Sequence, residues 1–98
     1  MPELEPLIHP PVRLQLMTML AAVSEAEFLT LREALAVSDS TLSKHISALA
    51  GNGYVASRKG VQAGRRTTWV SLTKSGARAL REHVAALRSL IEAVETAD

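Results

Sequence analysis

The sequence contains no cysteine, so it offers no disulfide framework, no thiolate ligand for a metal and no cysteine redox sensor. It also lacks any run close to the roughly 20 apolar residues that a membrane-spanning helix requires. The opening stretch, MPELEPLIHPP, carries acids and several prolines, a composition that excludes a secretory signal peptide. We therefore expect a cytoplasmic protein, and at 98 residues a single domain with a small core.

Acidic residues are nearly absent from the middle of the chain. Between Ser38 and Lys74 there are six basic residues and one acid, Asp39, which gives this segment a net charge of +5. The remaining residues contain five bases and nine acids, a net charge of −4. A basic middle between acidic flanks indicates a polyanionic partner for one face of the protein.

The N-terminal part predicts an arm followed by a helix. Residues 1–9 lack periodicity and are expected to form an extended or frayed arm, while Pro10 and Pro11 suit the start of a helix over Val12–Val23. One apolar side of this helix comprises Val12, Leu16, Met19, Leu20 and Val23, and another comprises Leu14, Met17 and Ala21. A helix covered by its own domain needs only one apolar side, so the second predicts contact with a partner chain.

Two shorter helices follow and form a helix-turn-helix unit. The stretch TLRE, Thr30–Glu33, has the spacing of a capping box and predicts a helix from Leu31 to about Ala36. Ser38 or Asp39 then caps a helix that runs to about Ala50, where Gly51 or Gly53 can close it. A turn of about three residues joins the two helices.

The rest of the chain predicts a hairpin and a long helix. The β-prone runs YVASRK (54–59) and TTWVSL (67–72) flank GVQAGRR, which we interpret as a basic hairpin loop. Thr73 can cap a final helix from Lys74 to about Val94. The apolar positions of that helix follow heptad spacing: Ala77, Leu80, Val84, Leu87, Ile91 and Val94.

These elements predict a mainly α fold, the α+β winged helix-turn-helix. It would have a three-helix core, a two-stranded β wing at about 54–72 and a long C-terminal dimerisation helix at 74–95. Residues 1–98 would form one domain, in which residues 11–73 are the DNA-binding core. In such a fold the second helix of the unit enters a groove of DNA while the hairpin flanks it.

The helix after Ser38 has an outer face suited to DNA. Small hydroxyl residues surround Lys44 opposite the apolar side, and such side chains let a helix approach phosphates and base edges closely. Arginines in the loop suit the minor groove, and basic residues on the first strand suit the phosphate backbone. The predicted DNA-binding residues are Ser40, Thr41, Ser43, Lys44, His45, Ser47, Arg58, Lys59, Arg65 and Arg66.

Other chemistry has little support in the sequence. The histidines, His9, His45 and His83, stand at no metal-ligand spacing, and no catalytic constellation is present, so we expect no metal, no cofactor and no enzyme activity. His45 borders the apolar face, where it would pack beneath the helix or touch a phosphate, and His83 flanks the heptad positions, interfacial or exposed. Trp69 is expected to pack, most simply against a helix, rather than stack on a base.

Several stretches together are similar to a known family. LIHPPVRLQLMTML, FLTLREALAVSDSTLSKHISAL, NGYVASRKG, RRTTWVSLTKSGARAL and HVAAL resemble small prokaryotic winged-helix DNA-binding regulators related to the MarR and ArsR types. The resemblance implies a cytoplasmic homodimer that binds operator DNA, usually as a repressor, and that dimerises through its first and last helices. Relatives commonly have glycine and asparagine at the positions of Ser40 and Thr41, so the base preference at the helix start does not carry over. They also usually have an acidic residue between this helix and GYV, which is absent here. The cysteine sensor of many ArsR-type proteins is absent, so metal-triggered release is not implied.

We therefore predict a homodimeric regulator of transcription that reads a pseudo-palindromic site in double-stranded DNA. The predicted dimer interface comprises Leu14, Met17, Leu80, Val84, Leu87, Ile91 and Val94. Two alternatives stay open: a winged-helix protein-interaction module without specific DNA binding, and a regulator controlled by a small-molecule effector. An effector pocket could be lined by Leu14, Met17, Trp69 and Leu80, although a filled core explains the same residues.

Overall fold

The computed structural model describes residues 4–97, so the first three residues of the predicted arm lie outside the described part. In chain order the elements are α1 (Pro11–Ala21), β1 (Ala26–Glu27), α2 (Phe28–Leu35), α3 (Asp39–Gly51), β2 (Val55–Gln62), β3 (Arg65–Leu72) and α4 (Lys74–Thr96). This order confirms the predicted succession of three helices, a hairpin and a long helix. Together they form a winged helix-turn-helix fold with one strand more than predicted.

The additional strand, β1, makes the sheet three-stranded rather than two-stranded. Its two residues pair antiparallel with β3, Ala26 opposite Val70 and Glu27 opposite Trp69, and the strand order is β1-β3-β2. A two-residue strand has no periodic pattern, and neither alanine nor glutamate favours strands. Pairing with β3, a tertiary interaction, therefore creates a strand that the local sequence does not predict.

Helix α2 begins three residues earlier than predicted, because it follows directly on β1. Its N-cap is Glu27, which makes no side-chain capping hydrogen bond, and Thr30 lies within the helix, so the predicted capping box is wrong. At its other end Ala36 adopts a left-handed conformation, and only residues 36–38 separate α2 from α3. The predicted three-residue turn of the helix-turn-helix unit is confirmed.

The hairpin is longer and tighter than the sequence suggested. Strands β2 and β3 pair from Val55 opposite Leu72 to Gln62 opposite Arg65, which leaves a turn of two residues, Ala63 and Gly64. Both turn residues have positive φ, 52° and 77°, as in the type I′ turns that match the twist of a hairpin. The predicted seven-residue basic loop is therefore wrong, and Arg65 and Arg66 lie on β3.

Residues 4–9 pack against the domain, which corrects the prediction of an extended or frayed arm. The Glu5 carbonyl accepts hydrogen bonds from the N–H groups of Ile8 (3.0 Å) and His9 (2.9 Å). The Glu5 N–H donates to Nδ1 of His83 on α4 at 3.0 Å. Ile8 is 0% exposed and belongs to the core. One turn with a single buried side chain has no periodicity for sequence reasoning to detect.

The core lies between the sheet and the helices and includes Leu16, Leu20, Leu31, Leu42, Leu49 and Val70. Two residues that we predicted at the dimer interface belong to it: Met17 is 0% exposed and Leu80 is 8% exposed. Both fill the core of their own chain, in agreement with the filled-core explanation of these residues. Residues from both apolar sides of α1 face the core, because α1 contacts α2, β3 and α4.

Helix α4 extends beyond the body of the domain. At 1.5 Å per residue its 23 residues span about 34 Å, and the longest dimension of the molecule is 58 Å against 25 and 21 Å for the others. Residues 90–97 are all exposed. The apolar side chains Leu90, Ile91 and Val94 in this part have 45%, 55% and 76% of their surface exposed.

Candidate nucleic-acid interface

The start of α3 is held by a cluster of hydroxyl groups. Ser38 is the N-cap, and its Oγ accepts a hydrogen bond from the backbone N–H of Thr41 at 3.1 Å. The same oxygen lies 2.9 Å from Oγ1 of Thr41 and 3.2 Å from Oγ of Ser40. Of the two candidates for the cap, Ser38 is therefore the one used. Thr41 is half-buried and takes part in the cap, whereas Ser40 is exposed.

The exposed face of α3 carries hydroxyls, one lysine and no acid. Ser40, Ser43, Lys44 and Ser47 are exposed. Leu42, Ile46 and Leu49 are buried on the opposite side. The one acid of the helix, Asp39, lies in the first turn, where Nη1 of Arg32 donates to it at 2.7 Å. This hydrogen bond raises the pKa of Arg32. The charge of Asp39 is thus compensated, and the positive charge of Lys44 has no acid beside it on this face.

His45 lies at the edge of this face and contacts α1. Nε of Arg13 donates to Nδ1 of His45 at 3.0 Å, and Nη1 of Arg13 donates to the Leu7 carbonyl at 3.2 Å. Burial, and secondarily the charge of Arg13, lower the pKa of His45. The expectation that His45 packs beneath the helix agrees with this placement, and its contact with a phosphate stays a prediction. Arg13 was not among the predicted site residues, because its sequence position, within an apolar helix, gives no sign that it faces α3.

One face of the hairpin, here called the inner wing face, comprises Lys59, Val61, Arg66 and Thr68. Lys59 lies opposite Thr68 and Val61 opposite Arg66, so all four side chains lie on one side of the sheet. Nζ of Lys59 donates to Oγ1 of Thr68 at 3.0 Å. Alternation places the buried residues Val55 and Val70 on this side as well, and α3 packs against β2. The inner wing face therefore continues the side of the sheet on which the helices lie, and it has no acid.

The opposite face, the outer wing face, is occupied by Arg58, Arg65, Thr67 and Trp69, with Glu25 and Glu27 beside them. Arg58 forms an ion pair with Glu25, in which Nε donates to Oε2 at 3.0 Å, and its guanidinium lies 5.6 Å from the centre of the Trp69 ring. The hydrogen bond raises the pKa of Arg58 and lowers that of Glu25. Thr67 donates to Glu27 at 2.9 Å.

These contacts bear on two expectations, and the contact of Arg58 with phosphate stays a prediction. Arg58, predicted to grip the phosphate backbone, is engaged by Glu25 on a face that carries acids. Trp69 packs, as expected, and its contacts include Arg58 and Gly60 of the hairpin. A Cβ placed on Gly60 would lie 2.9 Å from both Cδ1 and Nε1 of Trp69, so the indole covers this glycine. Sequence reasoning missed Glu25 because its partner, Arg58, is 33 residues away and is brought near only by the sheet.

His83 is buried, which corrects the expectation that it would be interfacial or exposed. It is 1% exposed, its Nδ1 accepts the Glu5 N–H, and its Nε2 has no hydrogen-bond partner. The His9 ring lies 5.5 Å away, centre to centre. Burial, followed by the charge of His9, lowers the pKa of His83. Within residues 4–97, no three His, Asp or Glu residues are grouped so that they could hold a metal ion.

Three of the predicted interface residues, Leu14, Leu80 and Val84, border surface grooves. Leu80 and Val84 line one on α4, together with Arg81, Arg88 and Glu92. Leu14 lines another between α1 and α2, together with Met19 and Leu35. Leu87 is half-buried, and Ile91 and Val94 are exposed beyond it. Leu14, Val84, Leu87, Ile91 and Val94 are therefore accessible at the surface of the chain, whereas Met17 and Leu80 are buried.

A helix with an acid-free outer face, preceded by a three-residue turn and flanked by a basic hairpin, defines a winged-helix transcriptional regulator fold. Residues 12–91 match the family described as winged helix DNA-binding domain, and the chain belongs to this family, which is one of DNA-binding regulators rather than enzymes. No curated protein sequence matches the chain. In the part that the structure describes, none of the helices is both long and apolar enough to cross a membrane.

Solved structures show the same fold. A transcriptional regulator homologue from Pyrococcus horikoshii is 30% identical with a TM-score of 0.83, over 90% of this chain and 87% of its own. A PadR-family regulator from Eggerthella lenta is 24% identical with a TM-score of 0.67, over 83% and 78%. The zinc-responsive MarR-family member ZitR of Lactococcus lactis is 20% identical with a TM-score of 0.61, over 86% of this chain but only 57% of its own. The likeness to the last two is one of fold.

Proposed function

We propose that this protein is a homodimeric regulator that binds a specific double-stranded DNA sequence and represses transcription from it in the cytoplasm. The observation that carries the proposal is the outer face of α3, where Lys44 is surrounded by Ser40, Ser43 and Ser47 and no acid is exposed beside it. Such a face can lie in the major groove without repelling phosphates, and its short side chains allow close approach.

The wing supports the same function. Lys59 and Arg66 share the side of the sheet against which the helices pack, so a duplex bound by α3 would meet them on its neighbouring backbone or minor groove. Because these are contacts of cations with phosphates, affinity should fall steeply between about 50 and 200 mM salt. A protein-interaction module of the same fold would bind nucleic acid weakly even at low salt.

The exposed end of α4 supports the homodimer. Leu90, Ile91 and Val94 are large apolar residues without cover in the described chain, and Val84, Leu87, Ile91 and Val94 keep the heptad spacing of a helix seam. A second copy that covers this seam would be related by a two-fold axis. The two α3 helices would then read half-sites roughly 34 Å apart, or a multiple of that distance.

Replacing Lys44 with alanine should weaken binding to the specific site about tenfold, because one cation leaves the centre of the exposed face of α3. The site can be obtained by selecting bound genomic fragments, and affinity measured by fluorescence anisotropy at fixed salt. Arg78→Ala, which removes one exposed positive charge from α4, is the matched control and should bind as the wild type does. Unchanged affinity of a folded Lys44→Ala variant, or failure to enrich any site, would contradict the proposal.

Replacing Ile91 with aspartate should convert the dimer to monomer at micromolar concentration, since a charge would be buried in the seam. Sedimentation velocity distinguishes the two states directly. Ala93→Asp introduces the same charge two residues away, about 200° around the helix from position 91, and should leave the dimer intact. A wild-type monomer, or a dimer that tolerates both substitutions equally, would show that α4 does not form the interface.

A further inference from the structure

We propose that Arg13 is a positioning residue that fixes His45 in the neutral form with its hydrogen on Nε2, and that this N–H donates to a phosphate oxygen of bound DNA. The inference rests on the proposed function, because it assumes that α3 lies against DNA. It adds a neutral hydrogen-bond donor to the DNA contacts proposed for α3. It also assigns a role in DNA binding to α1, which does not belong to the helix-turn-helix unit.

The hydrogen-bonding state of His45 follows from its partner. The Nε of arginine always carries a hydrogen and can only donate, so Nδ1 of His45, 3.0 Å away, must present a lone pair. A neutral imidazole with a free Nδ1 carries its hydrogen on Nε2. The far side of the ring is therefore a donor, which is the group that a phosphate oxygen requires.

Arg13 is itself held in place from the other side. Its Nη1 donates to the carbonyl of Leu7 at 3.2 Å. The segment that carries Leu7 is fixed by burial of Ile8, which is 0% exposed, and by the hydrogen bond from the Glu5 N–H to His83. The guanidinium thus bridges the N-terminal segment and α3, and a second hydrogen bond supports the orientation in which it contacts His45.

Nε2 of His45 is available to a ligand. No group in residues 4–97 forms a hydrogen bond with Nε2 of His45. If this atom were also buried, it would be a buried nitrogen without a partner, and the one such side-chain atom in that range is Nε2 of His83. Nε2 of His45 is therefore in contact with solvent. His45 is half-buried beside the exposed Lys44, at the edge of the outer face rather than its centre. A side chain at this edge meets the sugar–phosphate backbone that borders the groove, not the base edges at its floor.

The charged environment favours the neutral ring. Arg13 is the charged group that faces His45 from α1, and Lys44 is its neighbour on α3. Burial and the charge of Arg13 both lower the pKa of His45. At neutral pH the ring consequently acts as an oriented dipole that donates one hydrogen bond, and it adds no charge to the face.

The first test needs no DNA. Nitrogen-15 NMR of the histidine side chains in the full chain should show His45 with an unprotonated Nδ1 and a protonated Nε2. In Arg13→Met, which keeps an apolar stem but has no donor, the two tautomers should mix and the pKa of His45 should rise. A single unchanged tautomer in Arg13→Met would overturn the role of Arg13.

The second test uses two variants of His45 that separate the ring nitrogens. Asparagine places an acceptor near the position of Nδ1 and keeps the partner of Arg13, whereas glutamine places a donor near the position of Nε2. We expect His45→Asn to lose about tenfold in DNA affinity and His45→Gln to lose clearly less, with equal losses on the specific site and on unrelated duplex. Equal binding by wild type and His45→Asn would overturn the phosphate contact, and a loss confined to the specific site would assign Nε2 to a base instead.

The two tests also separate this inference from the function on which it rests. Absence of DNA binding by the wild-type protein would overturn the proposed function and the phosphate contact together. The tautomer of His45 and its dependence on Arg13 would still be decided by the NMR measurement.

Discussion

Replacing Gly76 with alanine is expected to destabilise the protein by about 3 kcal/mol, the upper end of the usual cost of overpacking. Gly76 lies in the first turn of α4 and is buried. A Cβ at this position would lie 2.0 Å from the carbonyl oxygen of Tyr54 and 2.8 Å from its carbonyl carbon. These are backbone atoms, so they cannot move aside as the end of a flexible side chain could.

The surroundings of Gly76 leave little room for adjustment. The Tyr54 carbonyl accepts the Thr73 N–H at 3.0 Å, and Thr73 Oγ1 accepts the Gly76 N–H at 2.9 Å and donates to the Gly53 carbonyl at 2.6 Å. Relief of the clash would require the start of α4 to move away from the start of the hairpin. That movement would break the cap of α4 and carry the proposed dimer helix to a new angle.

Gly51 is the matched control for this substitution. It is the last residue of α3, and a Cβ there would have no atom within 4 Å. Gly51→Ala should therefore be neutral or stabilise by roughly 0.5 kcal/mol, because alanine loses less conformational freedom than glycine on folding. Urea denaturation at one fixed protein concentration measures both variants, since the stability of a dimer depends on concentration. Equal stability of the two alanine variants would show that Gly76 of α4 does not lie as close to the backbone of Tyr54 as the structure indicates.

The helices with strong apolar periodicity could be predicted to within about two residues. α1, α3 and α4 each present repeated apolar positions, and the caps Ser38 and Thr73 are hydroxyl residues that accept hydrogen bonds in the structure as expected. α2 was misplaced because Thr30 and Glu33 have capping-box spacing, whereas the pairing of β1 with β3 brings the chain into helix earlier. Local sequence patterns contain no information about this pairing, because the paired residues, Ala26 with Val70 and Glu27 with Trp69, are 44 and 42 positions apart.

The candidate site was predictable as a set of residue types but not as an arrangement. The outer face of α3 follows from helix geometry alone, and Ser40, Ser43, Lys44 and Ser47 are exposed as that geometry requires. The faces of the wing depend on the register of the hairpin, which is set by the two-residue turn at Ala63 and Gly64. The predicted seven-residue loop would fix no register between the two strands. The sequence therefore could not predict the ion pair of Arg58 with Glu25, or that Arg65 and Arg66 lie on opposite faces of the wing.

That separation gives a prediction in which two adjacent arginines differ in their effect on DNA binding. Arg65 and Arg66 are adjacent, both are exposed, and each contributes one positive charge, but alternation along β3 places them on opposite faces of the hairpin. Arg66 shares the inner wing face with Lys59, where there is no acid. Arg65 lies on the outer wing face, on the same side as the Arg58–Glu25 pair and the Thr67–Glu27 hydrogen bond.

We therefore expect Arg66→Ala to reduce affinity for DNA about tenfold and to lower the slope of log K against log salt by about 0.9, the value for one lost phosphate contact. Arg65→Ala removes one positive charge from the same end of β3 and should change the affinity less than about threefold, with little change in slope. The double variant Lys59→Ala/Arg66→Ala should lower the slope by about 1.8. Binding titrations from about 50 to 200 mM salt measure all three variants. If Arg65→Ala and Arg66→Ala weaken binding equally, the wing acts through its total charge alone. If Arg65→Ala has the larger effect, DNA lies on the outer wing face, and Glu25 and Glu27 must move away from the DNA.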